Sequence, residues 1–153
     1  MMHNWWKNIV TLGPIGYLKA PGTMGSLCAI PLVMLLYSLK LDKVSTALMV
    51  TALTLITLKL IDLAMPIFNY QDSSHIIIDE VLGMVYTFWS IPFTIKTLVT
   101  GFILFRIFDI TKLFGIRYLE KKVPNPTGIL IDDIAAGFLA NISLYFLTTY
   151  NIL

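Results

Sequence analysis

Apolar residues in this chain gather into long runs parted by short polar or Gly/Pro-containing breaks. Nowhere do they alternate with polar residues for long enough to mark a strand. Residues 44–65 form one such run, long enough to cross a bilayer as a helix and closed by Pro66. Residues 76–95, slowed by Pro92, residues 98–118, and a last run from Thr127 to about Tyr150 have the same character. A shorter run, residues 27–39, ends at the polar break 40–43. The pattern predicts an all-α fold, a small multi-pass membrane helical bundle of about four spans plus a shorter N-terminal helix. All of it falls in one membrane-embedded domain over residues 1–153. Ser73 or Ser74 is placed to cap the third long helix, and Thr127 the last.

Residues 11–20 are apolar but short and rich in Gly and Pro, so they can dip into the interface and not span it. Trp5 and Trp6 beside Lys7 form an interfacial anchor, and no small-x-small pattern marks a cleaved signal. Composition agrees with a membrane protein: of 153 residues, 57% are hydrophobic and 13% charged, with a mean hydropathy of +0.80. The net charge of +2 and the absence of a basic run with interleaved aromatics exclude a nucleic-acid partner. Cys28, the one cysteine, excludes an internal disulfide and a cysteine-based metal cluster.

Against that background the charges inside the apolar runs carry the information. Asp79 and Glu80 lie in Ile76-Ile77-Ile78-Asp79-Glu80-Val81-Leu82-Gly83, and the phrase returns with Asp132 and Asp133 in residues 129–137. An acid early in a helix gains from the helix dipole, which explains one exposed carboxylate better than two adjacent ones in lipid. Such a pair must take up protons or bind a cation that offsets both desolvation and repulsion. Arg106, Asp109 and Lys112 recur every third residue, on a stripe that drifts by about 60° per step. They form either an internal ion-pair ladder or part of a working site. Lys59 and Asp62 sit toward the end of their run, where they can pair or snorkel to the interface.

Carboxylates without His or Cys make a hard oxygen environment that suits Mg²⁺ or Mn²⁺. Arg and Lys beside it suit a phosphate. Pro21-Gly22-Thr23-Met24-Gly25-Ser26, just ahead of an apolar run, reads either as an ordinary cap and turn or as a helix start that holds an anion with its amides and hydroxyls. Together these features describe phosphoryl chemistry, in which a metal polarises the phosphoryl oxygens and a spare carboxylate takes a proton from water.

Four segments, Pro21 to Ser26, Asp79-Glu80-Val81-Leu82-Gly83-Met84, residues 101–112 and residues 128–137, resemble in order and separation the motifs of phosphatidylglycerophosphatase A. The resemblance implies an all-helical, Mg²⁺-dependent phosphatase of the bacterial inner membrane. Its lipid substrate would be phosphatidylglycerophosphate, cleaved to phosphatidylglycerol and inorganic phosphate in phospholipid biosynthesis. The acidic pairs, the Arg106 stripe and the Gly22 to Ser26 turn all fall in the family's motifs. Two places depart from the usual pattern: Leu113 follows Lys112 where a proline is common, and Pro124-Asn125-Pro126-Thr127 replaces a glycine-rich approach.

The resulting assignment makes Asp79, Glu80, Asp132 and Asp133 the metal ligands, with Asp109 completing the catalytic acids. Thr23, Gly25, Ser26, Arg106 and Lys112 hold the phosphate. His75, a lone loop histidine, is left out of the site. The N-terminus and the active site are expected to face the cytoplasm, on the side of the basic stretch 117–122. The alternative function is a membrane cation carrier or channel that uses the buried carboxylates, which would have no need of Arg106 and Lys112. A structural subunit whose charges pair with a partner is a third reading.

Overall fold

A computed structural model of the chain describes residues 3–69, 74–111 and 127–153. Among these residues the fold is all helix: α1 (His3–Val10), α2 (Pro21–Ser38), α3 (Lys43–Ala64), α4 (Ile78–Thr87), α5 (Ile95–Thr111) and α6 (Thr127–Thr149), with short 3-10 turns at Ile15–Tyr17 and Met65–Phe68. Three stretches, Pro21–Ser38, Lys43–Phe68 and Thr127–Thr149, are long and apolar enough to cross a membrane. The first begins earlier than its apolar run, because Pro21 and Gly22 form the opening turn of α2. The basic stretch 117–122, Lys112, Leu113 and residues 124–126 lie outside the described residues, as does Ser73.

Residues 76–95 do not form one span. They divide into the ten-residue α4, a turn, and the start of α5. Ser90 takes a left-handed backbone at φ 59°, and Pro92 follows it. α5 then opens with a reciprocal cap, in which the Thr94 amide donates to Thr97 Oγ1 at 2.8 Å and the Thr97 amide to Thr94 Oγ1 at 3.1 Å. A helix that stops inside an apolar bundle leaves carbonyls in need of partners. Asn141 supplies them from α6, its Nδ2 donating to the carbonyls of Thr87 at 3.0 Å and Trp89 at 2.8 Å.

The start of α4 also differs from expectation. Ile77, not Ser73 or Ser74, occupies its N-cap, with no side-chain capping bond. The approach is held from the other side instead, by the Ile77 amide donating to the Val10 carbonyl at 3.0 Å. His75 shares in this: its Nδ1 donates to the Gly16 carbonyl at 2.9 Å and its ring stacks on Tyr17. The α2–α3 connection is capped by Asp42, whose carboxylate accepts from the amides of Val44 and Ser45. The Ser45 hydroxyl and these amides hold the Asp42 carboxyl below its ordinary range.

The short α4 is the centre of the bundle, packed against α2, α3, α5 and α6, while α1 lies on α3. Met84, Phe105, Ala136, Ala140 and Leu144 are fully buried around it. Outward faces carry Leu48, Leu55, Ile56 and Ile103, all at least half exposed, as a lipid-facing surface requires. Trp5 is exposed on α1, in keeping with an interfacial anchor. Lys59 and Asp62 pair at 3.0 Å on an exposed face of α3.

α4 and α6 cross backbone to backbone at two glycines. A Cβ on Gly137 would run into the Gly83 carbonyl and stand 3.0 Å from Tyr86 Cβ; one on Gly83 would meet the Phe105 ring and, at 2.8 Å, the Asp133 carbonyl. Gly137→Ala is therefore expected to cost about 1–3 kcal/mol by overpacking. A lowered thermal midpoint of the detergent-solubilised protein checks it, and an unchanged midpoint would show that the two helices can separate freely.

Candidate active site

The site forms where the first turns of α2 and α4 meet α5 and α6. Carboxylate oxygens of Asp79, Glu80 and Asp133 lie within 4.8 Å of one another, with Asp79 and Asp133 buried and Glu80 half-buried. Asp79 and Glu80 belong to the first turn of α4, and Asp133 to α6. The Gly83–Gly137 crossing brings them together, since it lets the α4 backbone lie directly on the turn of α6 that carries Asp133. The Glu80 amide donates to Asp79 Oδ1 at 3.1 Å. Asp132 does not join this trio. Successive helix residues point about 100° apart, and Asp132 is instead buried beside it, near enough for its charge to act on Asp133.

On α5 the three-residue spacing does pair charges. Arg106 Nη1 donates to Asp109 Oδ2 at 2.5 Å, both side chains being mostly buried. Asp109 lies near enough to Asp133 for their charges to act on one another, so the ion pair stands beside the trio. The same Arg106 Nη1 donates to Ser26 Oγ at 3.4 Å, and the Ser26 hydroxyl donates to the Gly22 carbonyl at 2.8 Å. Lys112 lies outside the described residues.

The α2 turn presses on this cluster with no side chain between. A Cβ on Gly22 would stand 2.5 Å from Glu80 Oε1 and 3.2 and 3.3 Å from the two terminal nitrogens of Arg106. One on Gly25 would stand 2.9 Å from the Ile77 carbonyl and 3.5 Å from Glu80 Cβ. Ala20 caps α2 with no side-chain bond, so the positive end of that helix lies bare beside Glu80 and Arg106. Thr23 is half-buried in the same turn.

Buried polar atoms ordinarily have partners. Here Glu80 Oε2, Asp133 Oδ1 and Arg106 Nε are buried and have no hydrogen-bond partner among the described residues. Two acceptors and a donor left open beside one another fit a cation at the carboxylates and an anion at the guanidinium.

The profile of the phosphatidylglycerophosphatase A family matches residues 8–148. This chain belongs to the phosphatidylglycerophosphatase A family, a family of hydrolases. It is 35% identical to phosphatidylglycerophosphatase A of Escherichia coli (strain K12), over 83% of this chain and 73% of that protein. It is also 35% identical to phosphatidylglycerophosphatase A of Haemophilus influenzae, over 94% of each chain. No solved structure matches the chain.

Two residues that shape this candidate site carry little signal in the sequence. Gly22 reads as part of a turn, though a glycine directly after a helix-starting proline is a signal for close backbone approach. Asn141, a lone amide in an apolar run, marks the end of the half-helix whose beginning carries Asp79 and Glu80. Gly22→Ala is expected to displace Glu80 and Arg106 and to lower phosphatase activity by about 100-fold, the scale of a small misplacement of reacting groups. The thermal midpoint should stay near that of the parent protein. Full activity in Gly22→Ala would mean that this contact does not position the cluster.

Proposed function

We propose that the protein hydrolyses phosphatidylglycerophosphate to phosphatidylglycerol and inorganic phosphate, with Mg²⁺ as cofactor, as a step of phospholipid biosynthesis. We place it in the bacterial inner membrane with the site toward the cytoplasm. The observation that carries the reaction is the meeting of an all-oxygen trio, Asp79, Glu80 and Asp133, with the Arg106–Asp109 pair and the bare start of α2. Family membership supports the substrate.

The residues fit a magnesium ion. The donors are all carboxylate oxygens, and Glu80 Oε2 and Asp133 Oδ1 are open to accept one. Asp79, Glu80 and Asp133 would hold it, with Asp132 as a neighbouring carboxylate in place of a direct ligand. When bound, the ion supplies positive charge that polarises the phosphoryl group and lowers the pKa of water. Arg106 directs its open Nε at a phosphate oxygen, while Asp109 fixes the guanidinium from the other side. Thr23, Gly25 and Ser26 border the phosphate with the first-turn amides of α2. Lys112 adds a second cation in this reading.

In the step itself a water oxygen bonds to phosphorus and the P–O bond to the lipid glycerol breaks. The departing oxygen takes up a proton, and Asp109 or Asp132 accepts the one that the water loses. Direct attack by water is proposed over a covalent aspartyl-phosphate.

The reconstituted protein should release phosphate from phosphatidylglycerophosphate with Mg²⁺ and stop when EDTA is added. Asp79→Asn and Asp133→Asn should each lose more than about 100-fold, beyond the range seen for outer-shell partners of a metal. Asp132→Asn should lose less than either. Activity that survives EDTA and both substitutions would defeat the magnesium proposal. Ion flux into liposomes without phosphate release would support the carrier, and a phosphorylated protein trapped by acid quench would overturn attack by water.

A further inference from the structure

At the far end of the bundle from the carboxylates, a cavity of about 480 Å³ opens between the end of α2, the start of α3 and the turn that follows α4. Tyr37 on its wall lies about 16 Å along the α2 axis from Ser26. Asp79 likewise sits at the opposite end of α4 from Val85 and Phe88, which line the cavity. Its depth is apolar, with Val33, Val50, Val85 and Phe88 buried around it. Its mouth carries two exposed lysines, Lys40 and Lys43. Among the described residues no acid lines it. The nearby Asp42 is committed to the amides of Val44 and Ser45.

The mouth lies at the α2–α3 turn, where two membrane helices leave the apolar layer, so the lysines sit at headgroup depth and the apolar depth faces acyl chains. The cavity's apolar depth, walled by Val33, Val50, Val85 and Phe88, does not hold water well. A lipid chain fills it, yet gains little by leaving other chains that are just as apolar. Selectivity therefore falls to the lysines, each of which favours a negative headgroup by about fivefold.

We propose that this cavity binds one anionic phospholipid, its acyl chain between Val33, Val85 and Phe88 and its headgroup on Lys40 and Lys43. The site is separate from the proposed reaction centre and takes lipid from the other face of the membrane.

Trp89 lines the cavity and reports on it. The chain has 3 tryptophans, so the full-length protein with Trp5→Phe and Trp6→Phe keeps Trp89 as its only fluorophore of that kind. Reconstitution in phosphatidylcholine vesicles with brominated phosphatidylserine tests the site with a lipid that is neither substrate nor product of the proposed reaction. Brominated phosphatidylcholine at equal mole fraction is the control. Half-maximal quenching of Trp89 is expected at a mole fraction at least about fivefold lower for the anionic lipid. Adding Lys40→Gln and Lys43→Gln should abolish that difference while phosphate release is unchanged. Equal quenching by the two lipids in the starting protein would overturn the proposal. A preference that survives both lysine substitutions would overturn it as well, since the lysines would then select nothing.

Discussion

Negative charge confined to an apolar bundle is the constraint on which this structure turns. Asp79, Glu80 and Asp133 lie within 4.8 Å of one another, where desolvation and mutual repulsion both oppose ionisation. The bare start of α2 and a guanidinium stand beside them, and each lowers that opposition. The start of α2 turns its positive end toward Glu80, and Arg106 stands beside it with Asp109 as its own counter-charge. In the proposed reading a divalent cation would complete the balance, because one ion can be ligated by all three carboxylates at once.

The backbone is arranged to make that crowding possible. Gly22 and Gly25 let α2 touch the start of α4, and Gly83 and Gly137 let α4 touch α6. α4 stops after ten residues, and its first turn lies against the first turn of α2 and the Asp133 turn of α6. Asn141 then satisfies the carbonyls that the early stop exposes. Site and fold are thus coupled: the half-helix that presents Asp79 and Glu80 is closed at its other end by a residue on α6.

The acids and the arginine stripe could be read from the chain because an ionisable residue within an apolar run has few bland explanations. Which member of the second pair comes within 4.8 Å of Asp79 and Glu80 could not, since Asp132 and Asp133, both buried, differ by one helix step and their aim depends on how α6 crosses α4. The break after Thr87 was hidden for a similar reason. Residues 76–95 stay apolar through the turn, and hydropathy registers polarity where the interruption is one of backbone. Its local sign, Thr94 and Thr97 three apart, is an ordinary pair of hydroxyls until their reciprocal bonds are seen. Its remote sign, Asn141, is recognisable only once α6 is docked. The general lesson is that chemistry was legible where it was costly, and geometry was not legible where it rested on glycines.

In the proposed reading Asp79, Glu80 and Asp133, and not the neighbouring Asp132, hold one divalent ion. Anomalous difference density from crystals of the protein grown with Mn²⁺ tests it most directly. A single manganese peak is expected within coordinating distance of carboxylate oxygens of Asp79, Glu80 and Asp133. A peak elsewhere in the protein, or none at saturating Mn²⁺, would contradict it.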